Sequence, residues 1–121
     1  MKSIILLLIA HFVGDFVLQT RKIAEKKSKK PEIMLLHVGM YAVVLIAFMN
    51  FTMGSAAVPF AILNAAFHGI QDWIIWNAYR DHRSPTVLSE FWNDPIFYEA
   101  IGFDQLMHTC VLIGTYHIFI G

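Results

Sequence analysis

Apolar residues run along this chain in blocks too long and too continuous for the one-sided stripe of a helix in a soluble domain. Residues 3–20, 33–53, 57–76 and 96–120 each read as a helix of membrane-spanning length. Lys2 followed by residues 3–10 has the ingredients of a secretory signal, but no small-x-small cleavage pattern follows Ala10. Instead His11 and Asp15 interrupt the run, which resumes through Phe16, Val17 and Leu18, so a helix kept in the mature protein is expected. Pro31 suits a first helical position, and Gly54 with Ser55 reads as a short turn. Asn93, Asp94 and Pro95 form a cap ahead of the last block. Residues 84–98 mix Phe91, Trp92, Phe97 and Tyr98 with Glu90 and Asp94, the pattern of a loop with an interfacial piece. Ala57, Ala61, Ala65 and Gly69 recur every four residues, a small-residue ridge that admits close helix packing. Continuous runs, rather than alternating ten-residue segments, disfavour a β-barrel. The expected fold is all-α: one domain over residues 1–121, a polytopic membrane four-helix bundle.

Composition agrees with that reading. The 121 residues are 57% hydrophobic and 15% charged, with a mean hydropathy of +0.56, which excludes a disordered chain. Nine cations balance nine anions, so no overall field recruits nucleic acid. The distribution is more informative than the sum. Arg21, Lys22, Lys26, Lys27, Lys29 and Lys30 crowd into one loop, and Arg80 and Arg83 follow the third block. Positive loops mark the cytoplasmic side, which puts both termini on the outer side. Trp73, Trp76 and Tyr79 fall where an aromatic belt meets the headgroups. The basic loop reads as a topology signal in contact with anionic lipid; no aromatic residues interleave it as single-stranded nucleic acid would require. His82 beside Arg80 and Arg83 is weighed as part of a phosphate-binding rim against a solvated flank, and the flank is the simpler reading. The lone Cys110 excludes an internal disulfide and cysteine-based zinc sites, and is taken as a small packing residue; His117 is taken as interfacial.

Ionisable groups inside the blocks carry the chemistry. Each costs about 2.5–3.5 kcal/mol on insertion scales, so Asp15, Asp72 and Asp104 together cost roughly 8–10 kcal/mol before any partner is counted. His11 and Asp15, His68 and Asp72, and Asp104 and His108 are each four residues apart, the spacing that puts two side chains on one helix face. Chance gives about one such pair for this composition. The expected topology brings these six residues, with His37, Gln19 and Gln105, to one level of the bundle. Four imidazoles and three carboxylates at one level have a metal-site composition, and His11, Asp15, His37, His68, Asp72, Asp104 and His108 are the candidate ligands. Zinc fits first, with iron or manganese next. Seven ligands exceed the need of one tetrahedral ion, so either two ions bind or some groups orient the ligand imidazoles. Gln19 and Gln105 are expected to do so by hydrogen bonding. Asp15, Asp72 or Asp104 is the candidate general base for metal-activated water. The competing reading makes each pair a polar clasp between helices, present for packing alone.

The strings HFVGDFVLQT, the lone His37 after a basic loop, HGIQD and FDQLMH together resemble a family of small integral-membrane proteins of unknown function, found in bacteria and carried by many phages. Its motifs are HxxGDFxxQ, a second-helix His, HxxxD and DQxxH, and His11, Asp15, Gln19, His37, His68, Asp72, Asp104, Gln105 and His108 match them position by position. The resemblance covers nearly the whole chain. It implies the bacterial inner membrane and supports the site without supplying an activity. In style the chain is also distantly similar to membrane-bound metal-dependent hydrolases. The leading expectation is a membrane metalloprotein acting as a hydrolase on a lipid or lipid-linked substrate at the cytoplasmic leaflet. The alternatives are a proton or ion pathway, a bis-His haem protein, which the aspartates disfavour, and a phage-type protein with a structural polar core. Expected partners are membrane lipids and, because so short a chain has little room for a closed pocket, a second copy or a partner membrane subunit.

Overall fold

A computed structural model describes residues 1–121, and it is all-helical without strands. Four long helices carry the core. They are α1 (Lys2–Phe12), α3 (Pro31–Met53), α4 (Ala57–Asp81) and α6 (Pro95–Ile120), with two short helices, α2 (Arg21–Lys26) and α5 (Pro85–Ser89), in the connections. Their starts follow from the sequence. Pro31 and Pro95 open α3 and α6, where a missing N–H costs nothing, and the Asp94 side chain accepts from Ile96 N at 3.1 Å. Thr20 and Ser84 cap α2 and α5 by accepting from Ile23 N and Val87 N.

The stretch Pro31–Asp81 holds an apolar window of mean hydropathy 2.0, long and apolar enough to cross a membrane. It is not one rod. Gly54 takes a left-handed φ of 56°, which a side chain would resist, and a 3-10 turn over Gly54–Ala56 folds α4 back on α3. Side-chain pairing shows alternating directions: His11 meets Tyr41, His37 meets His68, and Asn64 meets Thr115. Thus α1 packs on α3, α3 on α4, α4 on α6, and α6 returns to α1. The small-residue ridge lies at the α3–α4 contact: Ala57, Ala61 and Ala65 are buried, and a Cβ on Gly69 would stand 2.8 Å from Val38 Cγ1.

Three boundaries differ from expectation. The first helix stops short of residue 20: after Phe12 the chain widens into a π turn, Val13–Val17, with Leu18 N donating to Val13 O. The third helix continues past residue 76 to Asp81. The basic segment 21–30, expected as a loop, is helical over Arg21–Lys26, where Arg21 pairs with Glu25 four residues on.

Beside an apolar core, the interior holds a large polar cluster, and many large apolar side chains lie on the outside. The interior holds His11, Asp15, Lys27, His37, His68, Asp72, Asp104 and His108, whereas Ile5, Leu36, Val43, Ile62, Ile70, Ile74, Leu106 and Ile118 face outward. Cys110 corrects its expected packing role: it is exposed, because a position two residues past His108 turns away from the core. His117 is exposed. An apolar core of Leu7, Leu45, Met49, Phe60, Ala61 and Leu112 fills the half of the molecule beyond the polar cluster.

Candidate metal centre

All four long helices deliver polar side chains to one level. From α4, His68 and Asp72 are one turn apart, and from α6, Asp104 and His108 repeat that spacing in the opposite order. His37 comes from the second turn of α3, and His11 from the end of α1. Asp15 sits within the π turn. There a tight contact sets the helix spacing, since a Cβ on Gly14 would meet Tyr41 Cδ2 at 2.8 Å.

Asp15, His37, His68 and Asp72 can place one donor atom each within 4.8 Å of one another; so can His11, Asp15 and His108, and so can Asp72, Asp104 and His108. His37 Nε2 and His68 Nε2 are 2.9 Å apart and converge on the same carboxylates. Asp15 Oδ1 lies 3.4 Å from His37 Nε2 and 3.2 Å from His68 Nε2. The two oxygens of Asp72 divide their neighbours. Oδ2 faces His37 and His68 at 3.4 and 3.6 Å, whereas Oδ1 faces His108 Nε2 at 3.6 Å. Several inward-facing atoms make no hydrogen bond: Asp15 Oδ1, Asp72 Oδ1, Asp104 Oδ1, His68 Nδ1 and both nitrogens of His108. Buried oxygens and imidazole nitrogens left unpaired carry a desolvation cost of about 1–3 kcal/mol each, which a bound cation would remove. The cluster can therefore hold a metal ion.

A hydrogen-bonded relay fixes one side of it. A carboxylate only accepts, so Gln105 Nε2 donates to Asp15 Oδ2 at 2.8 Å, which orients the amide. Gln105 Oε1 must then accept, at 3.0 Å, from His11 Nε2, and neutral His11 accepts at Nδ1 from the Tyr41 hydroxyl at 2.9 Å. Both nitrogens of His11 are engaged, so it would bind an ion only by releasing Tyr41 or Gln105. Gln105 thus hydrogen-bonds two residues of the cluster. Gln19 does not: the helix ends before it, so it leaves the His11–Asp15 face and makes no hydrogen bond with the cluster.

Two participants escaped the reading of the sequence. Tyr41 bonds His11 and stacks on His68, with ring centroids 4.2 Å apart and planes 7° from parallel. Its position, four residues past His37, was a usable signal. Lys27 corrects the reading of the basic segment as wholly surface. Its side chain is 7% exposed, with Nζ 2.5 Å from Asp72 Oδ2 and 3.9 Å from Asp15 Oδ1. The turn that carries it is pinned to α4: Asn77 Nδ2 donates to Ser28 O at 3.0 Å, and Arg80 donates to Ser28 Oγ at 3.1 Å. Nothing in the run of cations distinguishes Lys27 from its neighbours except proximity to Ser28 and its fixed distance from α3.

The residues at the end of α4 separate by role. Arg83 is committed to Asp94 through two hydrogen bonds of 2.8 Å, and Tyr79 donates to the same carboxylate at 2.9 Å. Desolvation pushes Asp94 upward, but the Tyr79 hydroxyl, the Arg83 guanidinium and Ile96 N–H together hold it below its ordinary value. His82 is exposed.

The family described as a protein of unknown function, DUF3307, matches residues 3–121, and the chain belongs to it. No curated protein and no solved structure matches the chain.

Proposed function

We propose that this chain is a polytopic membrane protein whose four spans, α1 continued by its π turn to Val17, α3, α4 and α6, cross the bilayer, and that its His/Asp cluster binds divalent metal near the cytoplasmic leaflet. Helices of 23, 25 and 26 residues span about 35–39 Å at 1.5 Å per residue, enough for the hydrocarbon core. The outward Ile, Leu and Phe side chains support the same reading, and the positive segments at 21–30 and 80–83 assign that end to the cytoplasm, with both termini outside. The bacterial inner membrane, in host or phage-encoded form, is the matching location.

The observation that carries the metal reading is the set of unpaired imidazole and carboxylate atoms converging from four helices. Charge points the same way. Three carboxylates face one ammonium, three minus one, a formal deficit of two positive charges that one divalent ion closes. Zinc suits the imidazole-rich set best, and iron or manganese follows. Asp72 belongs to two of the candidate groups, with Oδ2 facing His37 and His68 and Oδ1 facing His108, so it would help to hold an ion in either.

The reaction class we assign is hydrolysis of a lipid or lipid-linked ester by metal-activated water, with Asp15 or Asp104 as base, because both border a cavity that opens beside the cluster. Asp72, fully buried, is left to ligation. The one-sidedness of the polar groups argues against a transmembrane proton or ion pathway: beyond His11 and His68 the interior is apolar except for Asn64 and Thr115. The Lys27–Asp72 contact is the observation that favours a purely structural polar core, since it supplies part of the missing charge internally.

Elemental mass spectrometry on detergent-purified protein, beside His68→Ala, decides between them. Near-stoichiometric zinc, iron or manganese that disappears in the variant is the expected result. Metal absent from both proteins, purified without chelators, overturns the metal centre.

A further inference from the structure

A cavity of about 460 Å³ lies between α2, the turn after it, the end of α4, α5 and the start of α6. Its inner wall is Asp15, Asp104 and Gln105, so it reaches the carboxylates of the metal centre directly. Its other walls combine two chemistries. Trp76, Phe91, Trp92 and Phe97 form an aromatic side, with Trp76 and Phe91 both packed against Phe97. Arg21, Lys27, Lys29 and Arg80 supply cations.

Their pairing differs. Arg21 is neutralised by Glu25, and Lys27 by Asp72 and Asp15. Exposed Lys29 has no acidic partner, and neither has Arg80. Its guanidinium donates to Ser28 Oγ, Ser28 O and Asn77 Oδ1, all neutral acceptors, which hold it in one orientation at the cavity wall without cancelling its charge. The neighbouring Arg83, in contrast, is fully spent on Asp94. A half-buried, positioned and uncompensated guanidinium is the arrangement that recognises a phosphoryl group.

We propose that this cavity binds a phosphate ester, with Arg80 on the phosphoryl oxygens and the Trp76, Trp92 and Phe97 rings against the apolar part of the molecule. The inference rests on the hydrolase reading for its consequence, since it names the substrate of that site as a phosphorylated amphiphile; the cavity itself is independent of the metal. The phosphoryl group would lie between Arg80 and the Asp15/Asp104 wall, where those carboxylates repel it unless metal or Lys27 offsets them.

Trp76 and Trp92 provide the readout. Intrinsic fluorescence of the full-length protein in neutral nanodiscs is titrated with dihexanoyl phosphatidic acid, with glycerol 3-phosphate, and with dihexanoyl glycerol lacking the phosphate. Saturable binding of phosphatidic acid is expected, weakened about tenfold or more in Arg80→Ala and unchanged in Lys22→Ala, which lies outside the cavity. Arg80→Lys, which keeps the charge but loses the fork, should fall between the two, and thermal melting of each variant separates loss of the contact from loss of the fold. Tighter binding of phosphatidic acid than glycerol 3-phosphate assigns a lipid source; equal affinity assigns a soluble phosphate ester. Equal response to the phosphate-free lipid, or no binding of either phosphate, overturns the proposal. Metal content measured on the same samples keeps the two readings apart: phosphate binding by metal-free protein leaves the cavity standing and the metal centre refuted, and metal without phosphate binding does the reverse.

Discussion

The two halves of the molecule are built on opposite rules. One half packs Leu7, Leu45, Met49, Phe60 and Leu112 around the small-residue ridge of α4, with Asn64 and Thr115 as its internal polar pair. The other gathers four imidazoles, three carboxylates and an ammonium, many of them without hydrogen-bond partners. In the bilayer that we propose for this chain, helix association would depend on close fit rather than on the hydrophobic effect, so the apolar half would hold the helices in register. The polar half cannot be explained by stability, because unpaired buried groups cost more than apolar replacements would. The first half is a clamp, and the second is what it is clamped around.

The sharpest way to break that division is to overfill each half in turn. Ala61→Leu, at a fully buried position of the ridge, should cost about 1–3 kcal/mol of unfolding free energy while leaving metal content per folded protein unchanged. Gly14→Ala should cost a similar amount, but its new Cβ drives Tyr41 away from His68 and His11, so metal content falls with it. Steric trapping or denaturant unfolding, with elemental analysis of the folded fraction, compares them; equal metal loss in both variants would erase the distinction between the halves.

A smaller effect is expected at Asn64 and Thr115, whose hydroxyl lies 3.0 Å from Asn64 Oδ1. A double-mutant cycle of Asn64→Leu and Thr115→Val should return a coupling of about 0.6–1.7 kcal/mol, with no change at the metal centre. The smallest effect concerns acid. Asp94 is held below its ordinary value when folded, so its contribution is present above the unfolded pKa and is lost as pH falls through the folded one. The melting temperature should therefore decline from about pH 5 to about pH 3, and Asp94→Asn should remove that part of the decline.

Much of this was legible in the sequence because it is periodic. Proline marks the starts of α3 and α6, Gly54 marks the turn between α3 and α4, and the spacing of four in His68/Asp72 and Asp104/His108 announces a shared face without any tertiary contact. What escaped depends on geometry that spacing does not encode. The π turn breaks the 3.6-residue rule, so Gln19 leaves the His11–Asp15 face and makes no hydrogen bond with the cluster. Lys27 was hidden among five similar cations, and only the grip of Asn77 and Arg80 on Ser28 turns it inward. Tyr41 looked like one more apolar-run aromatic, since hydroxyl partners lie on other helices.

Lys27 also bears on the order in which the protein is made. Asp15, Lys27, His37, His68 and Asp72 all precede the end of α4, and they include the complete four-residue ligand group. A ribosome that has released only the first two-thirds of the chain has already supplied both the carboxylates and the ammonium that offsets them. The unfinished protein thus carries its own counter-ion through biosynthesis, and α6 arrives last, to close with Asp104, Gln105 and His108 a site whose charge has been kept in check from the start.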